Sequence, residues 1–297
     1  MSRRFPRRAV CLACALVSAL FEPGRAYAQA PAEEASFEAG VTIERLVSEY
    51  RFENPSSFNT ETLVPHFFVQ HYESTQPWLV ARVRYPLGRG LGETTAAYAP
   101  ERTAFGSDVD TFFQPDGDVV TSGTSGDVRL RSFSIDQRLP VARLGRSSIG
   151  FQARYTNRHA DFLPADRVVT HTKPPSETRE FITTREMTTS HEFLVGISAA
   201  IRSEMGGGWR LEADGAGWPL VSGRLVTELP DKYPGVDVVF VARGFGGEGR
   251  VALVRRIGGA SLAVAAHATI VRPYDEASSL RQHTAGATVT LGFGPGR

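Results

Sequence analysis

The chain is poor in cysteine, in lysine and in long hydrophobic runs. Its 297 residues include only two cysteines, Cys11 and Cys14, which excludes a disulfide-rich scaffold. After the N-terminal stretch there is no apolar run of roughly 18 residues, so a bundle of membrane-spanning helices is excluded. The formal net charge of +1 gives no reason to expect nucleic acid as a partner. The length allows one large β domain or two smaller domains.

The N-terminus has the layout of an export signal. Four arginines before residue 9 form a basic region, residues 9–21 are largely apolar, and Ala26-Tyr27-Ala28 has the small-x-small pattern of a cleavage site. We therefore predict a signal peptide over residues 1–28, cleaved after Ala28, and a periplasmic leader over residues 29–35. Cleavage would remove both cysteines, so the exported chain would depend on backbone pairing and packing rather than on disulfides.

From residue 36 onward the pattern is alternation of apolar and polar residues, which is typical of strands with two different faces. In the last segment, Ala285, Ala287, Val289, Leu291 and Phe293 alternate with threonine and glycine. The segments run for about ten residues, near the 9–11 that cross a bilayer at a tilt. The predicted strands are 36–48, 62–72, 77–87, 127–139, 147–158, 188–202, 208–217, 220–228, 235–245, 249–257, 260–272 and 284–294.

These strands predict an all-β fold, a transmembrane antiparallel up-and-down β-barrel of about 12 strands, with 10 as the alternative count, over residues 36–294. The longest gaps, 88–126 and 159–187, fall on one side and are expected as external loops, whereas most gaps on the other side are short, as in outer-membrane barrels. Alternation does not show which way the apolar face points. A secreted soluble β-sandwich or barrel that binds a ligand therefore stays open as an alternative.

The export signal, the cysteine-free remainder, the alternating strands and the amphipathic last strand together resemble bacterial outer-membrane β-barrel proteins. The resemblance is one of architecture and not of a specific motif. It implies location in the outer membrane, with membrane lipids and the β-barrel assembly machinery as partners. Such proteins usually end on an aromatic residue, whereas here Phe293 is followed by Gly294 to Arg297.

One face of the predicted strands collects charged residues that would line the lumen. Packed together, they would form either a structural ion network or a narrow water-filled pore whose arginines favour anions. We therefore expect a structural or porin-like barrel, with passage of small solutes as its leading mechanism, and not an enzyme. We expect no cofactor and no metal. The candidate lumen residues are Glu38, Glu44, Arg82, Arg84, Arg154, Arg202, Arg210, Glu212 and Asp214.

The enzymatic alternative is a hydrolase at the outer rim of the barrel. Asp108 and Asp110 lie in the first long gap, and His159 and Asp161 lie in the second, on the same predicted side. Carboxylates and an imidazole held together can activate water. The Asp108-Val109-Asp110 run also has oxygen ligands for a hard cation, but its spacing does not fit a known calcium loop.

Overall fold

A computed structural model of the protein describes residues 35–53, 66–87, 90–114, 116–163, 165–174, 176–182, 186–228, 235 and 237–294. All regular structure in these residues is β-strand. They include no helix that is long and apolar enough to cross a membrane. The strands are β1 (Ser36–Glu53), β2 (Phe67–Leu87), β3 (Gly90–Phe113), β4 (Val119–Leu144), β5 (Ser147–Phe162), β6 (Ala165–His171), β7 (Glu177–Ile182), β8 (Glu186–Gly206), β9 (Trp209–Glu228), β10 (Asp237–Ile257), β11 (Ala260–Pro273) and β12 (Ser278–Phe293).

Ten of the strands form a closed antiparallel ring in the order β3-β2-β1-β12-β11-β10-β9-β8-β5-β4, closed by pairing of β3 with β4. The remaining two, β6 and β7, form a hairpin that extends the edge of β4, where Val120 to Thr124 pair with Arg167 to His171. The predicted antiparallel barrel is therefore confirmed. Its twelve strands divide into ten in the wall and two in an added hairpin.

The two ends of the barrel differ in their connections. Two-residue connections join β2 to β3, β4 to β5, β8 to β9 and β10 to β11, all at the end where β1 begins and β12 ends; we call this the short-turn end. Gly145, Gly207, Gly208 and Gly258 have φ between 58° and 78°, which tight hairpin turns require and which glycine adopts without strain. The opposite, long-turn end carries the β6–β7 hairpin.

Three predicted turns lie inside strands. Residues 73–76 belong to β2, Trp218-Pro219 to β9 and residues 246–248 to β10. Each coincides with a shift in strand register rather than a reversal of the chain. Pro77, Pro219 and Gly246, in or next to these places, mark bulges, because neither proline nor glycine supports a regular ladder.

The two predicted long loops are also mostly strand. Residues 88–126 contain β3 and the start of β4, and residues 159–187 contain the end of β5, the β6–β7 hairpin and the start of β8. The first stretch is rich in glycine, serine and threonine and the second in threonine and charged residues, so neither has the apolar alternation that marks the membrane-facing part. Most of their described residues are nevertheless paired in strands. Residues 1–34 lie outside the described residues, and the signal peptide stays a prediction.

The apolar face of the wall points outward. Leu79, Ile197 and Leu291 are each more than half exposed, whereas Glu212 and Gln152 on the inward face are 4% and 1% exposed. A soluble sandwich or barrel would bury the apolar set and expose the charged set. The observed arrangement suits a surface that faces lipid, which removes the soluble alternative.

The lumen is filled by different side chains in its two halves. Toward the short-turn end the inward residues are mainly charged and amide side chains. Toward the long-turn end, two apolar clusters pack inside the wall. The first comprises Tyr50, Phe68, Leu194, Trp218, Val221, Leu225, Phe240, Ala242, Val271 and Leu280; the second comprises Leu46, Tyr72, Ala104, Val128, Leu130, Ala160 and Phe162.

Candidate functional site

The structure places all nine candidate lumen residues on the inward face of the wall. Most of them take part in one ion network in the short-turn half. Arg82 contacts Glu38 (3.1 Å), Arg210 contacts Glu212 (2.7 Å) and His267 Nε2 lies 3.0 Å from Glu44 Oε2. Because the network pairs opposite charges, it resembles the predicted structural ion network more than a ring of unpaired arginines that would attract anions.

Several contacts of this network cross the lumen. Arg84 on β2 donates from Nη2 to Glu212 Oε2 on β9 (3.1 Å), and these two strands lie opposite one another in the ten-strand ring. At a second level, Arg138 on β4 and Arg154 on β5 both bind Glu248 on β10, at 2.7 and 2.6 Å. At a third level, Tyr50 on β1 donates to Glu192 on β8 (2.5 Å).

A cavity of about 160 Å³ remains inside the network. Arg82, Arg138, Arg154 and Arg158 line it, and Glu93, Asp136 and Glu248 are among the acids that offset their charge. The crossing contacts and the two apolar clusters occupy the lumen at several levels among the described residues. The sequence missed Glu93, Asp136, Arg138, Glu248 and Arg250. Glu93 and Glu248 lie in segments that were predicted as gaps between strands. Asp136, Arg138 and Arg250 lie in predicted strands, where the alternation of apolar and polar residues could have identified them as inward.

A second polar group lies in the lumen at the long-turn end, beyond the apolar belt; we call it the rim site. It comprises Asp108 and Asp110 on β3, Gln70 on β2, Glu186 and Thr188 on β8, and Arg167 on β6. Gln70 is the cross-strand partner of Asp108. Its amide donates to Thr188 Oγ1 (3.1 Å) and, more weakly, to Glu186 Oε1 (3.4 Å). Gln70 therefore links the two walls that carry the carboxyl groups.

The carboxyl groups of Asp108 and Glu186 lie in an environment that disfavours their charged forms. Burial, followed by repulsion from Glu186 and Asp110, raises the pKa of Asp108 well above its usual value. Burial and the charge of Asp110 raise the pKa of Glu186 to about 7, and Arg167 offsets part of this effect. Oδ1 of Asp108 is buried without a hydrogen-bond partner among the described residues. Near neutral pH the pair therefore retains a proton that ordinary carboxyl groups would lose.

The structure does not bring the four predicted rim residues together. Asp108 and Asp110 face the lumen, whereas His159 and Asp161 lie on the face of β5 opposite to the inward Ala160 and Phe162. The barrel wall separates the two pairs, because adjacent strand positions point to opposite sides. Glu186, which sequence reasoning missed, faces Asp108 instead. Glu186 lies in a segment that was predicted as a loop, so its side chain could not be assigned to the inward or the outward face.

A third polar cluster joins the tip of the β3–β4 hairpin to the end of β6. Asp118 accepts hydrogen bonds from Thr172 Oγ1 (2.8 Å) and the Lys173 amide (3.0 Å), and its Oδ2 lies 2.8 Å from His171 Nδ1. The contacts with His171 and Thr172 hold the pKa of Asp118 far below its usual value. Among the described residues, no cluster of acidic, histidine or cysteine side chains has the arrangement of a metal site.

Comparison with solved structures agrees with this architecture. The outer membrane protease OmpT from Escherichia coli superposes with a TM-score of 0.62 at 8% identity, over 89% of this chain and 97% of that one. Ail of Yersinia pestis (TM-score 0.33, 8% identity, 88% and 98% covered) and the toluene transporter TbuX of Ralstonia pickettii (0.24, 9%, 88% and 90%) are more distant. No protein-family profile and no curated protein matches the chain. The fold is that of the bacterial outer-membrane β-barrel proteins.

Proposed function

We propose that this chain is an outer-membrane hydrolase that acts at the rim site, with Asp108 and Glu186 as its acid–base pair. The observation that carries the proposal is the position of these two carboxyl groups. They face one another across Gln70 in the lumen, beside Tyr72 and Phe162 of the second apolar cluster. Paired carboxyl groups with raised pKa values commonly serve as the general acid and general base of an enzyme.

Hydrolysis at this site needs one ionised carboxylate and one protonated carboxyl group. The ionised member takes a proton from a water molecule as the water oxygen bonds to an electrophilic carbon of the substrate. The protonated member gives its proton to the leaving group as the bond to that carbon breaks. Gln70 and Thr188 orient the Glu186 side of the pair. With three carboxyl groups against one arginine, the rim site favours a neutral or cationic substrate.

The location of the site supports a reaction at the outside of the membrane. Asp108 and Glu186 lie beyond the outward aromatic residues Phe105 on β3 and Phe193 on β8, toward the long-turn end, which faces away from the periplasm in outer-membrane barrels. The likeness in fold to the outer membrane protease OmpT supports a barrel of this size as a scaffold for hydrolysis.

The test is turnover by the full barrel refolded in detergent, against fluorogenic peptides and nitrophenyl esters and glycosides. We expect activity in one class, with a pH profile that requires one protonated and one ionised carboxyl. Asp108→Asn and Glu186→Gln should each lower kcat at least about a hundredfold, as loss of a general acid or base does. Asp127→Asn, an exposed aspartate on β4, is the matched control. Full activity in Asp108→Asn, or no turnover of any class by a folded barrel, would overturn the proposal.

Passage of small solutes is the second candidate, favoured by the cavity beside Arg82, Arg138 and Arg154. Small anions could pass only if the contacts that cross the lumen open. Planar-bilayer recording distinguishes the two candidates. Steady anion-selective conductance from the unmodified barrel would support passage, and a closed baseline would reject it.

A further inference from the structure

Three exposed arginines form a patch on the outer surface of the wall. Arg224 on β9, Arg243 on β10 and Arg272 on β11 are exposed. Their outward direction follows from parity, since the neighbours Leu225, Ala242 and Val271 are buried in the lumen. We call these three side chains the arginine patch.

The three arginines are diagonal neighbours on adjacent strands. Arg224 pairs in register with Val241, two residues from Arg243, and Arg272 pairs with Phe245, two residues from Arg243 on the other side. Such diagonal positions are within reach of long side chains. The patch is therefore a single basic surface and not three separate charges.

The patch lacks the carboxylates that accompany two other outward arginines, Arg45 and Arg281. Arg45 forms a salt bridge with Glu73, and Arg281 forms one with Glu276. Arg224, Arg243 and Arg272 form no salt bridge with any residue in the part of the chain that the structure describes. Three adjacent guanidinium groups repel one another unless an anion lies between them, so the surface is complementary to a negatively charged partner.

The position of the arginine patch along the barrel axis indicates which negatively charged partner it faces. Toward the short-turn end, the next outward apolar residues are Leu220, Phe245 and Ile270, which are 50%, 44% and 47% exposed. The rings of Phe245 and Tyr274 lie 5.3 Å apart beside the patch. Aromatic side chains at the end of an apolar belt mark the level of lipid headgroups. The arginines therefore lie where the phosphate groups of the bilayer lie.

We propose that the arginine patch binds the phosphate headgroup of an anionic lipid in the leaflet at the long-turn end. A guanidinium group matches two phosphate oxygens at once, which an ammonium group does not. Phe245, on the short-turn side of Arg243, would contact the upper acyl chain. The proposal rests on the membrane placement in the proposed function but not on the hydrolytic activity.

The experiment measures lipid selectivity of the full barrel in phosphatidylcholine bilayers by electron paramagnetic resonance, comparing spin-labelled phosphatidic acid with spin-labelled phosphatidylcholine. Three arginines at the headgroup level should give the anionic lipid an association constant at least about fivefold higher than that of phosphatidylcholine. The triple variant Arg224→Gln, Arg243→Gln, Arg272→Gln should reduce this ratio to near one.

The matched control removes three arginines that already have a carboxylate partner, through Arg45→Gln, Arg179→Gln and Arg281→Gln. It changes the net charge equally and should keep most of the selectivity. Equal loss in both triple variants, or an unmodified barrel that inserts without selectivity, would overturn the proposal. Full displacement of the lipid by millimolar inorganic phosphate would overturn the assignment to a lipid and point to free phosphate. Failure to insert into any bilayer would instead overturn the membrane placement.

Discussion

Arg84 on β2 and Glu212 on β9 are hydrogen bonded across the full width of the barrel, with 3.1 Å between Nη2 and Oε2. Both side chains are about 95% buried. Arg84 also contacts Glu38 and Glu93, and Glu212 also contacts Arg210. The two opposite walls are therefore held together by a shared ion network in the short-turn half of the barrel.

The first prediction concerns the strength of this contact. Arg84→Met should destabilise the folded barrel by about 3–5 kcal/mol, because it leaves buried carboxylates with one partner fewer. Adding Glu212→Leu should cost much less than that substitution costs alone. A double-mutant cycle from unfolding in urea measures the coupling. The exposed pair Arg45 and Glu73 is the control, with an expected coupling of about 0–1 kcal/mol; strictly additive effects at Arg84 and Glu212 would contradict the account.

The second prediction concerns passage through the lumen. Arg138 and Arg154 fill the centre of the barrel, where both bind Glu248. Replacing both by alanine should enlarge the cavity and leave Asp136 and Glu248 without these partners, so single-channel recordings should show a new conductance that selects cations. The unmodified barrel should stay closed under the same voltage. An unchanged baseline in the folded double variant would show that the apolar clusters alone close the lumen.

The third prediction is a dependence of stability on pH that comes from the rim site. Burial raises the pKa of Glu186 to about 7, so between about pH 4.5 and 7 the folded state binds more protons than the unfolded state. Stability should therefore be greatest at acid pH and fall as pH rises through this window. Glu186→Gln should flatten the curve and should be more stable than the unmodified barrel at pH 8. The measurement is the unfolding midpoint on heating in detergent, and a parallel curve for Glu186→Gln would refute the assignment.

The fourth prediction concerns the tip of the β3–β4 hairpin. Asp118 binds Thr172 and the Lys173 amide, so it fastens the β6 hairpin to β3 and β4. Asp118→Ala should speed cleavage between β6 and β7 by an added protease and should leave the barrel's resistance to unfolding nearly unchanged. Asp127→Ala, at an exposed position on β4, is the control. Equal cleavage rates in both variants would mean that Asp118 does not hold the hairpin.

The sequence indicated the barrel's faces better than its strand boundaries. Parity alone put Glu38, Arg82, Arg84 and Glu212 on one face, and the structure has them there. Boundaries failed where glycine and proline interrupted the alternation, as at Trp218-Pro219 in β9. A bulge and a turn use the same residues, and only the pairing partner on the next strand distinguishes them.

Only part of the rim site could be predicted from the sequence, for a related reason. Asp108 and Asp110 stood out as a short acidic run, but Glu186 carried no local signal. Its relation to Asp108 depends on how far β3 and β8 extend and on the strands between them. Contacts across a lumen join residues far apart in the chain, and no local pattern records them.

By itself, the sequence determined that the chain forms long two-faced strands, because a period of two separates apolar from polar side chains whatever the surroundings. Only the tertiary structure decided the direction of those faces, the closure of ten strands into a ring and the addition of the β6–β7 hairpin. Closure is a property of the whole sheet, since it needs every strand's register to agree around the circle. It is this closure that turned Arg84 toward Glu212 and Asp108 toward Glu186.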